Sequence, residues 1–251
     1  MIILIFSLLF PERPLPPQVI MGSHISVYNS PFALFYQPAL LPHKFALAFS
    51  YAKPYEGLPI SQFESAFSFP LFKLQGAIGF SYFGEDIYKE NTVLFGLNYK
   101  ASLFSIGVNL KLLSLNIPEI VTHNEPTFDA GVVFYLPYDM KIGAFTRNVY
   151  RSKDYKQDIP SLFSLSFGVT HEALEFFFDL ISEENHPFTY SIGFKIPVVS
   201  SFYIKGGLRS GERTFGAGFG LNISLLNLEG FYRVHPLLGS SFSLSLVLNR
   251  I

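Results

Sequence analysis

Residues 105–112 read Ser-Ile-Gly-Val-Asn-Leu-Lys-Leu, and their alternation decides the fold. Ile106, Val108, Leu110 and Leu112 fall on one side of an extended chain, with Ser105, Gly107, Asn109 and Lys111 on the other. Outward from this stretch the period of two repeats, giving about fourteen segments of strand length. Before it come 44–51, 61–69, 74–83 and 92–100. After it come 127–135, 140–150, 161–170, 174–181, 188–198, 202–209, 214–223, 226–235 and 242–248. In the first, Phe45, Leu47, Phe49 and Tyr51 oppose Lys44, Ala46, Ala48 and Ser50. The pattern is weakest in 140–150, where Phe145 breaks it, and in 174–181, where both sides carry Phe or Ile.

A soluble sandwich hides its apolar strand face, whereas a membrane barrel turns that face outward. Three features select the barrel. The charges inside strands are Lys44, Glu64, Lys100, Lys111, Asp129, Lys141, Arg147, Glu175, Asp179, Lys195, Lys205, Arg209, Glu229 and Arg233. All share parity with the small residues, as hydrocarbon demands, because one Arg or Lys facing lipid costs about 2–4 kcal/mol at the midplane. The non-aromatic face is mostly Gly, Ala, Ser, Thr and Asn, whereas a soluble exterior is about 25–35% charged. The connections alternate too. Residues 52–60, 84–91, 116–126 and 151–160 read as long polar loops, and 70–73, 101–104, 136–139 and 171–173 as tight turns.

The expected fold is therefore all-β, a transmembrane antiparallel up-and-down β-barrel whose even strand number leaves no edge. Strands of about ten residues, rising roughly 3.3 Å each and tilted about 40°, span an apolar band of about 25 Å. Tyr51, Tyr82, Tyr99, Phe104, Tyr135, Tyr138, Tyr150, Phe231 and Tyr232 lie near segment ends and suit interfacial girdles.

Composition fits. Charged residues are 15% of the 251, against about 25% in an average soluble protein, and Phe numbers 29. No apolar run reaches about 18 residues, which excludes a multi-pass helical protein. A net charge of −1 without a basic stripe argues against nucleic acid as a partner. The absence of cysteine removes disulfides, thiolate nucleophiles and Cys-based metal sites.

The N-terminus departs from alternation. Residues 1–10, MIILIFSLLF, form an apolar core of export-signal length that lacks a basic start and a small-residue cleavage site. A proline-rich spacer completes a first part over 1–17. Residues 21–42, MGSHISVYNSPFALFYQPALLP, carry a turn signal at Tyr28-Asn29-Ser30-Pro31 and stop at Gln37-Pro38-Ala39. Pro31 and Pro38 restrict this stretch to a short helix between two bends. Met21, Gly22, Ser26, Val27, Asn29, Ala33, Pro38, Ala39 and Leu41 resemble the N-terminal hatch of the FadL and PorV/PorQ outer-membrane barrels, with Gln37 in place of the usual Asn and Leu40 where Gly often follows. The resemblance implies a lumenal hatch over 18–43, involving Met21, Gly22, Asn29, Pro31, Gln37, Pro38 and Ala39, inside a barrel over 44–251. Fourteen strands is also the number it implies. The chain ends Asn249-Arg250-Ile251, where such proteins usually finish on an aromatic residue.

Little else suggests chemistry. Gly216–Gly220, GAGFG, lacks the following helix a phosphate loop needs, so these glycines are expected to thin the inner face where the hatch approaches. The six histidines (His24, His43, His123, His171, His186 and His235) show no metal spacing and fall mostly in expected turns and loops, though His24 suits a hydrogen bond inside the lumen. Nothing selects Asp154, Asp158 and His186 as a hydrolase site, and Glu183-Glu184 reads as a solvated pair. No cofactor, metal or enzyme activity is expected. The lumen-facing candidates are Glu64, Lys100, Lys111, Asp129, Arg147, Lys195, Lys205, Arg209, Glu229 and Arg233. With the other strand charges they make a net positive lumen, either an ion-pair lattice or a preference for anionic solutes.

Likeness to FadL implies a plugged outer-membrane barrel that passes small hydrophobic or amphipathic molecules. Likeness to PorV and PorQ implies instead a barrel that binds secretion-system proteins. In both the lipid bilayer of the bacterial outer membrane is the surrounding partner.

Overall fold

The computed structural model describes residues 23–119, 121–149, 160–184, 186–211, 213–236 and 239–249. The expected export signal and spacer, Met21, Gly22, Tyr150, Asp154, Asp158 and the terminal Arg250-Ile251 lie outside the described residues.

Fourteen antiparallel strands close into one barrel, each paired with its sequence neighbours and the first with the last. They are β1 (Ala46–Lys53), β2 (Ser61–Leu71), β3 (Leu74–Glu85), β4 (Tyr88–Lys100) and β5 (Phe104–Ile117). Next come β6 (Val121–Tyr135), β7 (Met140–Arg147), β8 (Leu162–His171), β9 (Leu174–Glu183) and β10 (Thr189–Val199). The circuit ends with β11 (Phe202–Arg209), β12 (Thr214–Ile223), β13 (Leu226–His235) and β14 (Gly239–Asn249). Closure comes from eight register pairs, from Ala46 opposite Asn249 to Lys53 opposite Phe242. Every strand thus has a neighbour on both sides, as a sheet in hydrocarbon requires, although β6 pairs with β7 only over Ala130–Tyr135.

The apolar stripe faces out. Phe45, Phe63, Ile78, Phe95, Leu110, Phe134, Leu165, Phe194, Phe219 and Leu244 are exposed, while their strand neighbours Ala46, Glu64, Ala77, Leu94, Asn109, Val133, Ser164 and Ser243 are buried inside. Phe145, which breaks the sequence pattern, points inward and is 1% exposed. Tyr135 and Phe231 also belong to the inner wall rather than to a girdle: Tyr135 packs against the central apolar cluster and Phe231 is part of it.

Two expected loops are strand instead. Asp86 and Ile87 alone join β3 to β4, and β5 and β6 continue to Ile117 and from Val121. Here Lys89, Asn91, Ser114, Asn116, Thr122 and Asn124 occupy outward positions and are polar. A ladder rising past the apolar band keeps its hydrogen bonds but loses its greasy stripe, so the alternation disappears while the strand does not.

The chain enters β1 and leaves β14 at the same rim. This turn end also carries the connections 72–73, 101–103, 136–139, 172–173, 200–201 and 224–225. The opposite rim, the loop end, carries 54–60 and the connection between β7 and β8.

Candidate functional site

Residues 23–42 lie inside the barrel as three short turns. A 3-10 turn spans His24–Val27, one helical turn, α1, spans Ala33–Tyr36, and a second 3-10 turn spans Pro38–Leu40. The local sequence dictates this path. Ser30 N–H closes on the Val27 carbonyl at 3.3 Å, and Asn29 takes the left-handed conformation (φ 61°) that asparagine tolerates. Pro31 then opens α1, its carbonyl accepting from Leu34 N–H at 3.1 Å. Gln37 is extended (φ −159°), as the residue before a proline prefers to be, which ends α1. Ile25, Val27, Phe32, Leu34, Phe35, Ala39 and Leu40 are all buried in one apolar cluster with inner-wall residues including Ala48, Ala66, Ala77, Leu94, Val133, Phe177 and Val247.

The wall accommodates the segment with glycine. Gly79, Gly96, Gly107, Gly131, Gly143 and Gly168 sit on six successive strands, β3–β8, with inward parity. A Cβ at Gly79 would stand 2.6 Å from Leu34 and one at Gly96 closer still to the same side chain. At Gly107 it would overlap the Pro38 carbonyl, and at Gly131 the Gln37 side-chain oxygen. Gly107 and Gly131 are direct cross-strand partners, so together they form one flat seat for Gln37-Pro38. The GAGFG glycines on β12 serve a different purpose from the expected one. A Cβ at Gly216 or Gly218 would strike Phe231, and at Gly220 Tyr203, so β12 is thinned to admit aromatic side chains of its neighbours rather than the segment.

Polar ties fix the segment at three places. At its start, Ser23 Oγ donates to Asp179 Oδ1 (3.0 Å) and His24 N–H to Asp179 Oδ2 (2.6 Å), with the His24 ring Nδ1 3.0 Å from that second oxygen. Burial pushes the His24 ring below the ordinary histidine range, against the opposing pull of Asp179. In the middle, Tyr36 Oη donates to Glu64 Oε1 at 2.9 Å, and Asn109 donates its amide to the Leu34 carbonyl. At the end, Gln37 Nε2 donates to the Ala144 carbonyl (3.2 Å) and Ser105 Oγ to the Ala39 carbonyl (2.6 Å).

All ten lumen-facing candidates have inward parity, but they do not form one cluster. Lys111 pairs with Asp129 at 2.6 Å and Lys195 with Glu175 at 2.8 Å. Lys205 pairs with Glu229 at 2.5 Å, and Tyr203 also donates to Glu229. Lys100 lies 4.9 Å from the Tyr135 ring centroid, Arg147 lies over Phe145, and Arg233 donates to Ser241 at 3.3 Å. Arg209, half-buried, is the register partner of Ser191 and Thr214. Two carboxylates that read as loop residues, Glu90 and Glu125, are buried on the inner wall, each 5% exposed. His123 also faces inward, 3.3 Å from Glu125, and His235 is buried on β13. The cationic excess expected of the whole lumen is therefore confined to the turn end, where Lys44, Lys100, Lys141, Lys195 and Lys205 face Glu175 and Glu229. Among the described residues no group of side chains has the makings of a metal site. Strand parity signals the inner charges and, of the six glycines, Gly107, whereas the other five and the roles of Ser23, Tyr36, Ser105 and Asn109 depend on the segment's course.

No family model matches the sequence, and no curated protein sequence matches it. Solved structures match closely in architecture. A CymD monoaromatic hydrocarbon channel superposes with a TM-score of 0.62 at 12% identity, covering 96% of this chain and 98% of that one. The Pseudomonas putida toluene transporter TodX gives 0.63 at 11% identity over 92% and 96%. The Acinetobacter baumannii outer membrane protein Omp33 gives 0.55 at 8% identity over 82% and 98%. This chain shares the closed-barrel fold of these outer-membrane proteins. Its exposed side is aromatic and apolar, as a lipid surround requires, and outer-membrane barrels keep short connections like those of its turn end on the periplasmic side.

Proposed function

We propose that the protein passes small hydrophobic or amphipathic molecules across the outer membrane, with residues 18–43 as a hatch plugging the barrel of 44–251 and residues 1–17 as export signal and spacer. One observation carries the reading: an apolar segment, buried except around Tyr28 and Asn29, occupies a lumen whose wall is stripped to glycine beneath it. A lumen filled in this way is no open pore, so passage requires the hatch to move or the wall to part. The two most similar channels described above are named for toluene and monoaromatic hydrocarbons, which supports a small apolar cargo here. Uptake of a neutral hydrophobic dye into liposomes carrying the purified chain tests it. Saturable, protein-dependent uptake is expected, and uptake no faster than in empty liposomes overturns it.

The PorV/PorQ-like alternative, a barrel that binds secretion-system proteins, draws support from the β3–β4 and β5–β6 connections. At 86–87 and 118–120 they leave little chain to build a ligand site at the loop end. Inert liposomes together with a secretion-system protein co-purifying with the chain would favour it.

A further inference from the structure

At the turn end a cavity of about 290 Å³ lies between the segment's Ser26–Ser30 turn and the inner wall of β8–β14, with Lys44, just before β1, completing the lining. Its lining has two chemical halves. Val27, Phe177 and Val247 provide apolar surface beside the segment, and Lys44, Lys195 and Lys205 provide cations. Lys195 and Lys205 are direct cross-strand partners, a pairing that repels unless carboxylates flank it. Glu175 does so on one side, and on the other Lys205 reaches across the glycines of β12 to Glu229. Both carboxylates are thereby engaged, Glu229 also by Tyr203.

Lys44 differs. Among the described residues no carboxylate partner is seen for it, although it lines the cavity. The surroundings add positive potential: Tyr28, also in the lining, has Lys141 Nζ 4.0 Å and Lys100 Nζ 5.7 Å from its ring centroid. The carboxylates Glu64, Glu90, Glu125 and Asp129 lie on the other side of the segment, toward the loop end. A cation entering at the turn end would find the local carboxylates occupied, whereas an anion finds in Lys44 a half-buried cation with no carboxylate partner among the described residues.

We propose that this cavity binds a small carboxylate with an apolar body, its anionic group at Lys44 and its apolar part against Val27, Phe177 and Val247. The volume lies at the lower bound of small-molecule sites, about 300 Å³, which suits a single-ring or short-chain acid rather than a long acyl chain. The site goes beyond the transport reading, because occupancy from the periplasmic side requires no movement of the hatch.

The test is equilibrium binding to the purified full chain in neutral detergent, read by isothermal titration and ligand-observed NMR. Benzoate is the probe, with benzyl alcohol as neutral counterpart and inorganic phosphate as an anion without an apolar body. Benzoate is expected to bind saturably and at least about tenfold more tightly than either control, since a charge-assisted contact is about twice as strong as a neutral one. Lys44→Gln removes most of that advantage and Lys44→Arg keeps it. Asn222→Asp, which adds a carboxylate to the cavity lining, weakens benzoate in the same direction and serves if the lysine variant does not fold. Benzoate that fails to saturate, controls that bind as tightly, or folded Lys44→Gln and Asn222→Asp proteins that bind benzoate like the parent would each overturn the site. Uptake is not measured here, so a chain that binds benzoate but passes no dye sinks the transport reading and leaves this one standing.

Discussion

Asp179 accepts from a side chain, a backbone amide and, through one tautomer, the ring of His24, so one carboxylate anchors the start of the buried segment. The His24 ring lies 5.1 Å from Phe145 and sheds its proton more readily than an ordinary histidine of 6.5, because burial penalises the cation and Arg147 and Arg209 repel it. Below pH 6.5 a released segment takes up a proton that the seated one refuses, so the seat is strongest above 6.5 and weakens as pH falls toward the lowered value. Protection of the Ser23–Val27 amides, taken relative to their intrinsic exchange rate at each pH, should therefore fall on acidification through 6.5, and His24→Gln should flatten that dependence. The glycine seat gives a second test. Gly131→Ala forces its methyl into Gln37 and should cost about 1–3 kcal/mol, whereas Gly143→Ala meets only ordinary contacts at 3.4 Å and should be tolerated. Thermal unfolding of the two variants in detergent reads the difference, and equal melting would argue against the seat.

At the scale of elements, the bend between α1 and the Pro38–Leu40 turn holds the segment's second half against β5 and β6. Pro38→Ala frees φ at that bend and should raise leak through the barrel in planar bilayers, while unchanged conductance would mean that the bend does not seat the plug. The same scale explains what the sequence could and could not reveal. Strands crossing the apolar band were readable because lipid enforces one greasy face, and Lys111 or Glu229 then had to point inward. The upper parts of β4–β6 were not readable, since their outward positions meet water and carry Lys89, Asn116 and Asn124. Partnerships were harder still. Whether the β12 glycines make room for the segment or for Tyr203 and Phe231 depends on register across three strands, which spacing along one strand does not encode.

For the whole molecule the proposed function is mechanical: on that reading a greasy-outside barrel is closed from within by its own N-terminal segment, and cargo passes when that segment yields. The chain contains no cysteine, so a single engineered pair can lock it. Ser105 Oγ donates to the Ala39 carbonyl at 2.6 Å, so wall and segment are neighbours there, as a cross-link between the two positions requires. The deciding measurement is dye uptake by liposomes carrying the Ala39→Cys, Ser105→Cys protein, oxidised and then reduced. The expected result is a quantitative cross-link that stops uptake, with recovery on reduction. Uptake at the parental rate with the disulfide intact would contradict the claim, as would a folded barrel in which the two cysteines never meet.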